Sequence, residues 1–144
     1  MSIAGSLICG VLVVKWGLMR PLFIGAVAVA VTNLLFASLS LMEPKVSYLA
    51  IVISADNISG GFAATAFIAY LSSLTNRAYT ATQYALFSSL MTLPGKFISG
   101  FSGLVVDNFG YFEFFVVAAM LGIPAILLVV WLSGYERAQL ASQP

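Results

Sequence analysis

Histidine is absent from this 144-residue chain, and cysteine occurs once, as Cys9. The first absence removes histidine-based acid–base catalysis, histidine metal sites and the commonest protein pH sensor. A single cysteine cannot form a disulfide within the chain, and we expect Cys9 to pack as a small apolar side chain. The sequence therefore predicts no metal site, no cofactor and no enzymatic activity.

Charge is also scarce, because 8% of the residues are charged and 61% are hydrophobic, with a mean hydropathy of +1.05. Soluble domains carry about 25% charged residues, so the sequence predicts an integral membrane protein surrounded by a lipid bilayer. The net charge of +1 includes no basic run, which makes nucleic acid an unexpected partner. The apolar start is not a signal peptide, because Lys15 and Arg20 follow it rather than precede it.

Short polar breaks divide the chain into five apolar segments, at residues 2–14, 21–42, 47–73, 80–106 and 111–133. The first covers only about 20 Å as a helix, which is less than the ~30 Å hydrocarbon core. The sequence thus predicts an all-α membrane bundle with four full transmembrane helices plus an incomplete first one. We expect an interruption at residues 93–95 and a loose polar tail at residues 134–144.

Basic residues in the breaks predict the orientation. If the spans alternate, Lys15, Arg20, Arg77 and Arg137 share one face and Lys45 lies on the other. The positive-inside rule makes the four-cation face cytoplasmic, together with the C-terminus. The short first segment suggests part of a larger bundle, and the alternative is a small complete protein with a re-entrant start.

Asp56 is an acid about 12–15 Å deep in the third segment, counted at 1.5 Å per residue. Gly60, Ala63, Phe67 and Tyr70 share roughly its helix face, and Asn57 lies on a neighbouring one. Acids at membrane depth are costly and often functional, so this face could line a proton or substrate pathway. Alternatively, Asp56 bonds to adjacent helices and the small residues allow close packing.

Lys96 lies at a matching depth in the fourth segment, about 15 Å from the outer face. A buried ion pair with Asp56, direct or through water, is the simplest hypothesis, because each residue would otherwise be a lone charge in lipid. The alternative is that each faces a water-filled cavity separately.

Polar side chains recur at steps of four along the fourth segment, at Tyr84, Ser88, Thr92 and Lys96. Pro94 removes a backbone hydrogen bond beside them, and broken helices are where transporters place substrate sites. Alternatively, the hydroxyls bond back to their own helix.

Gly100-Phe101-Ser102-Gly103 matches the GxSG pattern of intramembrane serine proteases, but that serine needs a general base and the chain has no histidine.

Two stretches resemble known families. Gly10 to Gly17 with Arg20, including Lys15, resembles the G-x-L-x-D-R/K-x-G-R-R cytoplasmic loop of the major facilitator superfamily, with Val14 in place of the acid. Residues 53–76 and 79–103, with Asp56-Asn57 before Gly60-Gly61 and the run Thr80-Ala81-Thr82-Gln83-Tyr84, resemble the C-terminal part of AmpG-type muropeptide permeases and the related acetyl-CoA transporter-like group.

This resemblance implies a fragment of an inner-membrane secondary transporter that imports anhydro-muropeptides during bacterial cell-wall recycling, driven by protons. The partners would then be a small glycopeptide and the N-terminal helices of the transporter, which lie outside this chain. The resemblance also implies candidate cavity residues: Asp56, Asn57, Tyr70, Gln83, Tyr84, Ser88, Thr92 and Lys96. The alternative is a truncated membrane protein that packs against a partner without transporting.

Overall fold

The computed structural model describes residues 1–43, 45–74 and 80–141, apart from the side chains of Thr80, Pro94 and residues 136–141. This part of the chain is all-α, as predicted, with five helices: α1 (Ser2–Trp16), α2 (Met19–Ser40), α3 (Val46–Leu74), α4 (Thr80–Ser99) and α5 (Ser102–Ala141). Two cations used to predict the orientation cannot be placed, because Arg77 and the side chain of Arg137 lie outside the described residues.

Three helices within the described ranges are long and apolar enough to cross a membrane: α2, α3 and the part of α5 up to Tyr135. The chain is therefore a multi-pass membrane protein. Helix α1 is shorter, with 15 residues, in keeping with the predicted incomplete span. Helix α4 has 20 residues but is less apolar. The described residues thus contain three helices with the length and composition of a full span, and the predicted fourth span stays a prediction.

The predicted interruption at residues 93–95 is wrong, because α4 is continuous from Thr80 to Ser99. The chain turns at Gly100 and Phe101 instead. The Gly100 amide donates to the carbonyls of both Lys96 and Phe97 at 3.2 Å, a shared bond typical of helix ends. Glycine is a poor helix former, which favours a break at Gly100, although Gly95 is accommodated within α4.

Helix α5 contains a second break at Gly110, whose φ of 87° is left-handed. A side chain there would cost about 1–2 kcal/mol. Residues 102–106, predicted as the end of the fourth span, therefore belong to the first part of α5, and Gly110 lies in the break predicted between residues 106 and 111. The helix also continues past residue 133 to Ala141, where a loose tail was predicted, because residues 136–140 are mostly strong helix formers.

Helix α3 packs between α1 and α2. Cys9 of α1, Leu22 of α2, and Phe62 and Ala66 of α3 form the buried core. Successive contacts run in the same direction along α1 and α3, and in opposite directions along α2 and α3. Helices α2 and α5 are also antiparallel, with the Phe36 and Phe115 rings stacked at 5.0 Å near one end and Arg20 beside Ser133 at the other.

Glycines bring these helices into backbone contact. A Cβ on Gly5 of α1 would overlap the Ile58 carbonyl of α3, and a Cβ on Gly61 of α3 would overlap the Ser2 carbonyl of α1. A Cβ on Gly25 of α2 would lie 2.9 Å from the Ala63 Cα of α3. Small residues allow this kind of approach between membrane helices, and the approach fixes the height of Asp56 relative to its neighbours.

Candidate functional site

Asp56 is half-buried in α3, ten residues after the helix begins at Val46. The Thr32 hydroxyl of α2 donates to the Asp56 carboxylate at 3.0 Å. Thr32 itself is buried, with 3% of its surface exposed. The Thr32 oxygen also lies 3.0 Å from the Val29 carbonyl oxygen of its own helix. The intramembrane acid thus has a specific neutral partner on the adjacent helix.

Asn57 follows Asp56 and faces the other neighbour, because consecutive residues on a helix point about 100° apart. The Ser2 hydroxyl of α1 donates to Asn57 Oδ1 at 3.1 Å, and Asn57 Nδ2 donates to the Ile53 carbonyl at 2.8 Å. Nearby, the Ser6 hydroxyl donates to the Gly61 carbonyl at 3.1 Å. We call Ser2, Thr32, Asp56 and Asn57 the Asp–Asn junction. It connects α3 to α2 on one side and to α1 on the other.

Sequence reasoning missed Thr32, although a signal was present. Thr32 and Asn33 are a polar pair inside an otherwise apolar stretch of α2. Thr32 lies eight residues before the end of α2 at Ser40, and Asp56 lies ten residues after the start of α3 at Val46. The two residues are therefore at similar depth, and the depth count that suggested Lys96 as a partner also identifies Thr32.

Lys96 does not form the predicted direct ion pair. Within the described ranges no salt bridge joins Lys96 to Asp56, and the Lys96 side chain is exposed. Helix α4 contacts α3 only marginally and has no buried residue among its described side chains. A depth match alone did not predict contact, because it does not specify which helix faces are packed together.

A cavity of about 730 Å³ lies between α2, α3 and α5, and Met91 of α4 also contributes to its lining. Its α3 wall includes the face predicted for the third segment, namely Gly60, Ala63, Phe67 and Tyr70. Gly60 has open space where a Cβ would be, whereas Ala63 packs on Gly25. Asp56 does not line this cavity, whose walls are almost wholly apolar.

The predicted polar row of α4 is not brought to the Asp–Asn junction. Gln83, Tyr84 and Ser88 are half-buried, and Thr92 is exposed. The Thr92 hydroxyl donates to the Ser88 carbonyl at 3.0 Å, which matches the alternative that it bonds to its own helix. The structure therefore divides the candidate residues into the junction on α3, Tyr70 in the apolar cavity and a separate group on α4.

The loop after α1 shows why glycine occupies position 17. Gly17 ends α1 with a φ of 78°, and its amide donates to the Val13 carbonyl at 3.0 Å. Lys15 and Arg20 are exposed on either side of it, and Gly10 has open space where a Cβ would be. Glycine is the residue that adopts this left-handed conformation without strain.

Comparison with known proteins now gives a family. "Putative transporter AmpG 1" of Rickettsia bellii is 33% identical over 129 residues, which are 90% of this chain and 32% of that protein. "Putative transporter AmpG 4" of Rickettsia felis is 30% identical over 132 residues, covering 92% of the chain and 32% of that protein. The chain is a relative of the AmpG transporters.

An uncharacterized protein of Haemophilus influenzae is 34% identical over 143 residues, covering 94% of this chain and 34% of that protein. The AmpG-related chain thus spans about a third of the length of these curated relatives. No family model matches the chain. No solved structure matches it either.

Proposed function

We propose that this chain forms part of the C-terminal half of an AmpG-type secondary transporter that imports anhydro-muropeptides into bacteria by proton coupling. Two observations support the proposal: the AmpG relatives, and a half-buried acid at membrane depth with a hydroxyl partner on the next helix. The transporter would lie in the inner membrane, with the Arg20 end of α2 and the C-terminus cytoplasmic. This orientation follows the positive-inside rule.

The proposal that Asp56 couples transport to protons rests on the geometry around the Thr32 hydroxyl. Its oxygen is 3.0 Å from both the Asp56 carboxylate and the Val29 carbonyl. A hydroxyl has one hydrogen to donate, so an ionised Asp56 and the Val29 carbonyl compete for it. A protonated Asp56 can instead donate to the Thr32 oxygen, and Thr32 then donates to Val29. Proton binding therefore reverses the direction of the hydrogen bond between α3 and α2.

Such a reversal can be coupled to alternating access. Ionisation of Asp56 leaves a charge at membrane depth that is costly unless water or a donor reaches it. A proton removes that charge and leaves one hydrogen bond between the helices, from Asp56 to Thr32, while Thr32 donates within α2 to the Val29 carbonyl, which also accepts from Asn33 Nδ2. The protonated and ionised forms would then favour different spacings of α2 and α3, which is the differential interaction that a conformational switch requires.

Substrate would be held by polar side chains. Asn57 at the junction, Tyr70 in the apolar cavity, and Gln83, Tyr84, Ser88, Thr92 and Lys96 on α4 remain the candidates, together with the rest of the transporter. Amide and hydroxyl groups suit the sugar and peptide parts of a muropeptide because they both donate and accept hydrogen bonds. Transport at a midplane site between two halves is the usual arrangement for secondary transporters.

Uptake of labelled anhydro-muropeptide tests this function. Cells without their own uptake would express the complete transporter carrying this chain, the Asp56→Asn variant, or the 144-residue chain alone. We expect accumulation by the unmodified complete transporter and at least ten-fold less by the Asp56→Asn variant, because a transporter without its coupling acid cannot use the proton gradient. Asp107→Asn is the matched control, because Asp107 is exposed.

Unchanged accumulation by the Asp56→Asn variant would show that Asp56 does not couple transport to protons. Absence of uptake by the unmodified complete transporter would contradict the substrate. Uptake by the 144-residue chain alone would contradict the proposal that the chain works as part of a larger transporter.

A further inference from the structure

Asn33 follows Thr32 on α2 and shares a hydrogen-bond acceptor with it. The Asn33 side-chain amide donates from Nδ2 to the Val29 carbonyl at 3.0 Å. The Thr32 oxygen lies at the same distance from that carbonyl oxygen. This is the one side-chain hydrogen bond that the structure gives Asn33 within the described residues. The proposed transport route uses Thr32 but has so far left Asn33 without a function.

The Val29 carbonyl has three donors around it. Val29 and Asn33 both lie within α2, and in an α-helix a backbone amide donates to the carbonyl four residues earlier. The backbone amide of Asn33 is therefore the first donor to Val29, and its side-chain amide is the second. A carbonyl oxygen has two lone pairs, so these two bonds leave it a poor acceptor for the third donor, the Thr32 hydroxyl.

The surroundings of Asn33 keep its side-chain amide on Val29. Asn33 lines the cavity between α2, α3 and α5, and apolar cavities of this kind do not hold water well. Tyr70 also lines the cavity, but it lies about 21 Å beyond Asp56 along α3, at 1.5 Å per residue. Met91 contributes a thioether sulfur, which is a weak acceptor. The described lining residues therefore offer the Asn33 amide no better side-chain acceptor than the Val29 carbonyl.

We propose that Asn33 is a positioning residue for Asp56. Its side-chain amide occupies the Val29 carbonyl and thereby directs the single hydroxyl hydrogen of Thr32 to the Asp56 carboxylate. The Thr32 oxygen is 3.0 Å from each of the two acceptors, so distance alone favours neither of them. Asn33 thus strengthens the bond that joins α2 to α3 while Asp56 is ionised. Its importance for transport rests on the proposed function of Asp56 in proton coupling.

Threonine and valine at position 33 test this proposal, because they have nearly the same shape and differ in one donor. A threonine hydroxyl can donate to the carbonyl four residues earlier, as Thr65 does to Gly61 at 2.9 Å in this chain. Valine has no such donor. We expect Asn33→Val to free the Val29 carbonyl for the neighbouring hydroxyl and to weaken the bond between α2 and α3. Asn33→Thr should retain most of that bond.

The rate at which a thiol reagent labels Cys9 in the 144-residue chain in detergent measures this effect. Cys9 is fully buried, at 0% exposure, in one core with Leu22 of α2 and Phe62 of α3. Labelling requires this core to open, and the open population rises when contacts between the helices weaken. We expect labelling to be roughly five-fold faster in Asn33→Val, the effect of one hydrogen bond, and no more than about two-fold faster in Asn33→Thr.

A second substitution separates this positioning effect from a purely structural one. In the Thr32→Val background no hydroxyl hydrogen remains to be directed, so Asn33→Val should add no further acceleration. Equal acceleration in both backgrounds would show that Asn33 stabilises α2 by itself and would overturn the proposal. Asn108→Val is the matched control, because the exposed Asn108 amide makes the same type of bond, to the Leu104 carbonyl at 2.7 Å. It should label at the unmodified rate.

Muropeptide uptake by the complete transporter separates this proposal from the proposed function. We expect Asn33→Val to lower gradient-driven accumulation roughly five-fold, in line with the loss of one hydrogen bond, and Asn33→Thr to retain it. Equal accumulation by these two variants would overturn the part of Asn33 in coupling. Absence of uptake by the unmodified transporter would contradict the proposed function, whereas Cys9 labelling would still decide whether Asn33 directs the hydroxyl hydrogen.

Discussion

Thr32 is the side chain through which the intramembrane acid connects to its neighbouring helix. Its hydroxyl is buried, lies 3.0 Å from the Asp56 carboxylate and completes the bond between α2 and α3. A buried acceptor that loses its donor costs about 1–3 kcal/mol, and Asp56 lies at the lower end of that range because it is only half-buried. Thr32 therefore matters for both the stability of the bundle and the proposed proton response.

Replacing Thr32 by valine keeps the shape and removes the donor. We expect Thr32→Val to lower the free energy of unfolding by about 1–3 kcal/mol, and Thr32→Ser to lower it much less. Cys9 is the single cysteine and is fully buried, at 0% exposure, so a thiol-reactive dye reports thermal unfolding in detergent. Thr92→Val is the control, because Thr92 is exposed and bonds to its own helix. Equal melting of Thr32→Val and unmodified protein would show that the Asp56 contact contributes no stability.

Asp56 and Thr32 also show what sequence can and cannot predict about single residues. The depth of Asp56 follows from composition and helix rise alone. To identify the partner of Asp56, one must know how each helix is rotated about its axis. A nearly uniform apolar stretch does not specify this rotation, because every face of the helix is similarly hydrophobic. Lys96 was chosen by depth and charge, but the structure leaves it exposed and gives the contact to a neutral hydroxyl.

The crossing of α1 and α3 depends on two glycines whose missing side chains make room for carbonyl groups of the partner helix. Gly5 and Gly61 form a reciprocal contact with the opposing backbone. Gly60, one residue before Gly61, has open space around it. The sequence shows both glycines of the pair, but only the structure shows which one packs and which one lines the cavity.

Gly61→Ala should separate α1 from α3, because the new methyl group would overlap the Ser2 backbone. Overpacking of this kind costs about 1–3 kcal/mol. Gly60→Ala should be neutral or stabilising by up to about 1 kcal/mol from helix propensity. The rate of maleimide labelling at Cys9, which packs against α3, measures the effect. Labelling should accelerate in Gly61→Ala alone, and equal rates in the two variants would refute the close crossing.

Helix α4 makes few contacts with the other described helices, and its charged residue Lys96 is therefore exposed. Its polar groups lie away from the Asp–Asn junction, and no described residue pairs with Lys96. Composition and the family resemblance predicted an all-α membrane chain, which the structure confirms. The break at Gly110 falls within the break predicted between residues 106 and 111. The break at Gly100 was not predicted, because Pro94 was taken as the breaker, although membrane helices tolerate proline.

Because Asp56 and Lys96 are not in contact, we predict that substitutions of the two residues act independently on uptake by the complete transporter. Asp56→Asn and Lys96→Gln should reduce muropeptide uptake by factors that multiply in the double variant, since residues without contact seldom couple by more than about 0.5 kcal/mol. A double variant that transports better than Asp56→Asn alone would show that the two charges interact during the transport cycle.

Proteoliposomes containing the complete transporter test proton coupling at Asp56 most directly. Two rates of labelled muropeptide entry would be measured, one driven by an imposed proton gradient and one driven by exchange against internal unlabelled muropeptide. We predict that Asp56→Asn abolishes gradient-driven accumulation and retains exchange, because the variant binds substrate but carries no proton. Gradient-driven accumulation by Asp56→Asn at the unmodified rate would contradict the account.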